Sequence, residues 1–190
     1  SGPVTPARTN GIAKFCDLFC LFTVIVHIVP FGVDHGLHPA MAAGVLSTIG
    51  AMSIAGRLLL GGAYDRFGAR RSLLACCSLL TASLVWLQFA DTTWSLFLFA
   101  AVYGPAHGGF FTITSPSVAE YFGTRAHGTL FGLVISCGTF GATLGPIVAG
   151  SLFDMWGSYT IAFALLLGFS LAGLAVASML PRPVQAPAAG

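Results

Sequence analysis

Charge is what this sequence most lacks. Only 7% of its 190 residues are charged, eight cations and six anions, where a soluble domain carries roughly 25%. So few charges cannot cover a water-facing surface, and a chain that is 56% hydrophobic would overfill one small core. That excludes a soluble enzyme and a disordered segment. A net charge of +2 spread over this much apolar surface is no basic patch, so nucleic acid is excluded as a partner. Cys16, Cys20, Cys76, Cys77 and Cys137 all lie in apolar runs with no histidine-rich cluster at zinc spacing. They read as small hydrophobes, and no disulfide framework, metal or cofactor is expected. A signal peptide is also missing: residues 1–11 read as a Pro/Gly/Thr linker without an initial methionine, as in a piece of a longer protein or a processed product.

What is present is a series of long apolar runs. A bilayer core takes about 20 apolar residues in helix, and the chain offers Ile12–Pro30, Pro39–Ala63, Ser72–Ala90, Trp94–Phe122, Gly128–Phe153 and Tyr159–Leu180. Short turn-rich breaks separate them, such as Asp65-Arg66-Phe67-Gly68 and Asp154-Met155-Trp156-Gly157-Ser158. A transmembrane β-barrel would instead alternate in polarity over ten-residue segments. The expected fold is an all-α membrane protein of six transmembrane helices, a bundle over 12–180, with a disordered cytoplasmic tail at 181–190.

Cations set the expected orientation. Arg8 precedes the first run and Lys14 stands at its start, Arg66, Arg70 and Arg71 follow the second, Arg125 follows the fourth and Arg182 the sixth. The opposite breaks hold Asp34, Asp91 and Asp154 and no cation. The positive-inside rule then places both termini in the cytoplasm, with Trp94, Trp156 and Tyr159 as anchors at the outer interface. The leucine-rich third and sixth runs are expected to face lipid. The second, fourth and fifth are expected inside, because Gly104/Gly108, Gly128/Gly132 and Gly141/Gly145 allow close helix contact.

The sequence also repeats itself. Gly56, Gly61, Asp65 and Gly68 recur as Gly145, Gly150, Asp154 and Gly157, each 89 positions later, and Ser47 and Ser136 keep the same register. The unit holds three spans (12–90 and 94–180), and an odd number inverts the second copy. Inverted three-helix repeats are a mark of secondary transporters.

At this level the chain resembles the major facilitator superfamily. Gly61, Asp65, Arg66, Gly68, Arg70 and Arg71 fill every fixed position of that family's loop motif, G-x-x-x-D-R/K-x-G-x-R/K-R/K. The segments His27-Ile28-Val29-Pro30, Ser115 to Gly123, and Leu144-Gly145-Pro146 through Tyr159 resemble the C-terminal half of its monocarboxylate and oxalate/formate branch. The resemblance implies alternating access between two six-helix halves, of which one is present. The missing N-terminal half would come from the same longer chain or from a second copy. Two departures stand out. Ser53 occupies the place where proton-coupled monocarboxylate carriers look to have an Asp, which weakens proton coupling through this helix. The fifth span lacks the lysine of the oxalate exchangers, which weakens a dicarboxylate substrate.

Arg57 is the sharpest candidate. It lies about 12 Å from the inner end of its span, and an unpaired arginine in hydrocarbon costs at least ~3 kcal/mol. It should meet a carboxylate, for which its planar fork is suited; the alternatives are snorkelling or a structural pair with Asp17. Its face, with Gly50, Ser53 or Ile54, and Gly61, is expected to be a packed stripe. His107, in the helix-weakening Gly104-Pro105-Ala106-His107-Gly108-Gly109, and Tyr103 on its face are expected to help orient the substrate. His27 is a further substrate candidate, and each histidine has packing as its plain alternative. Gly61, Asp65, Arg66, Arg70 and Glu120 form the expected gate, with Asp65 latching onto the start of the fifth helix.

The reading is a secondary active transporter half, antiporter or symporter, for a small organic anion, a monocarboxylate, in the plasma (bacterial inner) membrane. No G-x-S-x-G or H-E-x-x-H motif supports an enzyme. The alternative is a truncated or structural membrane half that does not transport on its own.

Overall fold

The computed structural model describes residues 4–123 and 127–180, with side chains from Thr9 onward; among them every regular element is an α-helix. The helices are α1 (Val4–Asp34), α2 (Pro39–Leu87), α3 (Thr93–Phe122), α4 (His127–Trp156) and α5 (Thr160–Ser178). All five are long and apolar enough to cross a membrane. Helix α1 begins at Val4, inside the segment expected to be a linker, and runs through Pro30 to Asp34. The tail at 181–190 lies outside the described residues, as do Arg125 and Arg182.

Local chemistry explains where the helices start and stop. Pro39 opens α2 behind His38, whose ring accepts from the Ala40 N–H at 3.4 Å. Thr92 caps α3 by accepting from the Ser95 N–H at 3.3 Å. Glycines with positive φ end α3 and α4, at Gly123 (75°) and Gly157 (64°).

Helix α2 corrects one expectation. Asp65-Arg66-Phe67-Gly68 was expected to be a loop, yet the helix is interrupted there at Gly68 alone, with φ 77° and ψ 176°. Only glycine adopts that backbone without strain. At 49 residues a straight α2 would reach ~74 Å, more than twice a hydrocarbon core of ~30 Å. Gly68 therefore divides it into two arms, 39–67 and 69–87.

Packing also reassigns the interior. Helix α1 lies chiefly against α4 and α5, and α2 against α3 and α5. Helices α1 and α3 are the most enclosed, while α4 and the first arm of α2 leave much of their surface uncovered by this chain. The first and fourth runs are thus the innermost, in place of the second, fourth and fifth. The second arm of α2, expected to face lipid, buries Leu73, Cys76, Cys77, Leu80, Leu84 and Leu87. Of the three expected anchors, Tyr159 is buried against Phe153 and Phe163, whereas Trp94 and Trp156 are exposed.

The close contacts rest on glycine. A Cβ on Gly104 would stand 2.5 Å from the Met52 Cβ, and one on Gly108 would collide with the Ser53 backbone. Across the other pair, Gly141 and Gly145 lie against the backbone of Phe15 and Phe19. Gly128 and Gly132, expected to do the same, have nothing within 4 Å. Without water to compete, dispersion across such contacts is what holds membrane helices together. Several hydroxyls bond back to their own helix, as in Thr139 to Ile135 O (3.0 Å) and Thr143 to Thr139 O (2.9 Å).

Candidate functional site

Arg57 lies on the first arm of α2 and is exposed, with Gly50, Ile54 and Leu58 beside it on the uncovered face. The packed stripe expected around it is therefore confined to Ser53, which is 4% exposed, while Gly61 is half-buried. Arg57 makes no hydrogen bond or ion pair among the described residues. The structural pair with Asp17 is not formed: Asp17 is 1% exposed, and its neighbour is the Cys77 thiol, 3.7 Å away.

Close helix contact sets the next part of the site. Because Gly108 lets α3 rest on the Ser53 backbone, the Ser53 hydroxyl reaches His107 Nδ1 at 3.1 Å. His107 is half-buried, close enough to Arg57 for the two to interact electrostatically. Its Nε2 has no hydrogen-bond partner among the described residues. When Nδ1 accepts from Ser53, Nε2 carries the proton and is a free donor. Arg57 and His107 thus bring unspent N–H groups to one face, and Phe111 continues it, its ring 5.2 Å from that of His107.

Tyr103 borders His107, the ring centres 6.2 Å apart, but its hydroxyl is spent elsewhere. It is fully buried, and its hydroxyl donates to the Leu21 carbonyl at 2.6 Å, tying α3 to α1. His27 is also engaged. Its Nε2 donates to the Pro146 carbonyl at 3.0 Å, which leaves Nδ1 to accept from the Tyr159 hydroxyl at 3.2 Å. Burial and the carboxylates of Asp34 and Asp154 push the Tyr159 phenol above its ordinary value, so it keeps the proton it donates.

The residues expected to gate divide into two kinds. Glu120 accepts from the Tyr64 hydroxyl at 2.6 Å and from the Ala69 N–H at 3.0 Å, so it caps the second arm of α2 just past Gly68. Arg70 donates to the carbonyls of Leu180 (2.9 Å) and Ser178 (2.9 Å), closing the end of α5. These are fastenings within the bundle. Asp65 is exposed with no hydrogen bond or ion pair among the described residues, and the latch onto α4 is not formed; Arg66 lies over the Phe67 ring.

One buried group escaped the sequence reading. Lys14, taken there for a surface cation, is 5% exposed in the bundle core, its Nζ 3.4 Å from the Phe110 carbonyl and 5.0 Å from the Phe110 ring centre. The signal available was an acid three residues further along the same apolar run, at Asp17. Cations and acids inside a span pair or serve function.

Five helices long and apolar enough to cross a bilayer define an integral membrane protein. Residues 11–189 match the model of the Major Facilitator Superfamily, and the chain belongs to that family. It is 30% identical over 163 residues to monocarboxylate transporter 13 of Rattus norvegicus, covering 85% of this chain and 38% of the relative. It is 26% identical to the aspyridones efflux protein of Emericella nidulans (80% and 32% covered). To the 3-(3-hydroxy-phenyl)propionate transporter of Escherichia coli it is 25% identical (90% and 43%). Among solved structures, one described as giving insight into substrate recognition in proton dependent oligopeptide transporters aligns with a TM-score of 0.82 at 18% identity, over 96% of this chain and 43% of that one. The chain thus spans about a third of the length of the curated relatives it matches.

Proposed function

We propose that the chain is one six-span half of a secondary active transporter that moves a monocarboxylate by alternating access. The observation that carries the substrate class is Arg57: an exposed, unpaired guanidinium on a membrane helix, beside a histidine whose Nε2–H is also unspent. Two oriented donors and a single fixed positive charge suit one carboxylate. The relatives named as monocarboxylate transporter and 3-(3-hydroxy-phenyl)propionate transporter support the same class. In this reading Ser53 holds the His107 tautomer, the exposed face of α2 and α4 meets a second six-helix half, and the segment 61–71 around the Gly68 break lies on the cytoplasmic side.

Counting the arms of α2 separately supports the reading of two inverted three-span repeats. The internal hydrogen bonds support this. Thr81 and Ser170, joined at 2.6 Å, are 89 residues apart, so that shift carries one onto the other. Applied to Lys14 and Phe110, the same exchange gives Tyr103 and Leu21, and both pairs are hydrogen-bonded side chain to carbonyl. It also relates the Gly141–Phe15 contact to Gly104–Met52, and Gly68 to Gly157, both at positive φ. Apart from Gly68 and Gly157, these pairs lie at positions the sequence repeat did not use.

The test is carboxylate uptake by the full-length protein in liposomes. Arg57→Gln should abolish uptake at unchanged expression, and Arg57→Lys should lose at least tenfold, because an ammonium cannot reproduce the fork. Uptake unaffected by Arg57→Gln would overturn the reading. The chain's coverage of only about a third of its relatives favours a second reading, that these 190 residues alone do not transport. Liposomes holding only this chain would then show no uptake while the full-length protein does.

A further inference from the structure

We infer that Asp17 is a proton-binding site of the transport cycle, separate from the Arg57 face, and that Lys14 is the group whose position reports the proton. This rests on the transport reading above. Of the six acids, Asp34, Asp65, Asp91, Glu120 and Asp154 lie at or near helix ends or in connections. Asp17 alone is deep, ~12 Å along α1 from Thr9 and ~26 Å from Asp34, and it is 1% exposed. It is also the only carboxylate this half places within the bundle.

The surroundings of Asp17 are those of a neutral acid. On α1 it faces Lys14, Cys16 and Cys20, and on the second arm of α2 it faces Cys76 and Cys77. From α5 it meets Gly173, where a Cβ would stand 3.1 Å from Oδ1. Around Lys14, α3 contributes Phe110 and α4 contributes Gly138, neither of them titratable. A carboxylate has about four acceptor sites, yet among the described residues the only donor in range is the Cys77 thiol, at 3.7 and 3.9 Å. Lys14, three residues away on the same helix, is placed to pair with it. Opposite charges in a dry interior attract strongly. The ammonium goes instead to the Phe110 carbonyl and ring, and it does not come within ion-pair distance of Asp17. This is the arrangement of a protonated carboxyl.

Release of one proton from Asp17 to water leaves a carboxylate, and Lys14 then swings from Phe110 to Asp17. Phe110 is three residues from His107 on α3, and His107 bonds Ser53 beside Arg57. The movement of Lys14 therefore loosens the helix that carries half of the carboxylate site.

The experiment uses the full-length protein with lactate and 3-phenylpropionate as probes. Infrared titration of the wild type should show a protonated-carboxyl stretch that shifts in Asp17→Glu and disappears in Asp17→Asn. In liposomes an inward gradient of one pH unit should give about tenfold accumulation for one proton per substrate; Asp17→Asn should accumulate none, yet keep counterflow. Proton-driven accumulation by Asp17→Asn, or a carboxyl band indifferent to both substitutions, overturns the inference. If Asp17→Asn does not fold, the wild-type and Asp17→Glu spectra decide. If the wild type moves neither probe, the Arg57 reading fails, and the spectra still settle whether Asp17 holds a proton.

Discussion

Two glycines on the same helix pair should respond in opposite directions to the same added methyl group. Gly108→Ala puts a Cβ against the Ser53 backbone and 2.9 Å from the Ser53 hydroxyl, while Gly62→Ala meets nothing within 4 Å. Ordinary contact needs about 3.5 Å, so α2 and α3 must separate by over half an ångström at Gly108. Overpacking of this kind costs ~1–3 kcal/mol. The separation also opens the 3.1 Å bond from Ser53 to His107, since hydrogen bonds weaken quickly beyond ~3.5 Å. At Gly62 the methyl group only relieves backbone entropy, a gain of up to ~1 kcal/mol. Thermal unfolding of the detergent-solubilised full-length protein, with carboxylate uptake alongside, tests both. Gly108→Ala should melt several degrees lower and lose uptake; Gly62→Ala should melt at or above wild type and retain it. Equal shifts for the two variants would show that α2 and α3 are not packed backbone to backbone at Gly108.

Two further outcomes follow from the hydrogen bonds. Thr81 and Ser170 share a 2.6 Å bond between α2 and α5, so a double-mutant cycle with Thr81→Val and Ser170→Ala should give a coupling of ~0.6 kcal/mol, at most ~1.7; no coupling would separate those helices. Tyr159 has its phenol raised, first by burial and then by Asp34 and Asp154. A folded value above the unfolded one gives stability that is present below the ordinary 10.0 and lost as pH rises through the folded value. Melting temperatures followed upward from pH 9 should therefore fall more steeply in the wild type than in Tyr159→Phe, which has no phenol to ionise.

Much of the arrangement could be read from the residues because a membrane imposes few choices. Apolar length gave the helices, glycine spacing the contacts at Gly104/Gly108 and Gly141/Gly145, and the motif around Asp65 the family. The failures share a cause. Composition says how polar a helix is, and burial depends on which helices stand between others. Leucine in the second arm of α2 looked lipid-facing but fills the core, while the glycine- and threonine-rich α4 presents Ser136, Thr139 and Phe140 outward. In water a polar helix face means exposure; between halves of a transporter it means a surface another bundle or a substrate will cover. The same ambiguity misplaced two charged side chains. Lys14 was counted with the surface cations because it stood near the start of a run, and Arg57 was given a packed face because its neighbours were small. The structure reverses them: the lysine is enclosed with Asp17, and the arginine is open. An enclosed lysine and acid that do not meet and an open cation without a partner among the described residues are each incomplete within this chain; in the proposed reading a proton completes the first and a carboxylate the second.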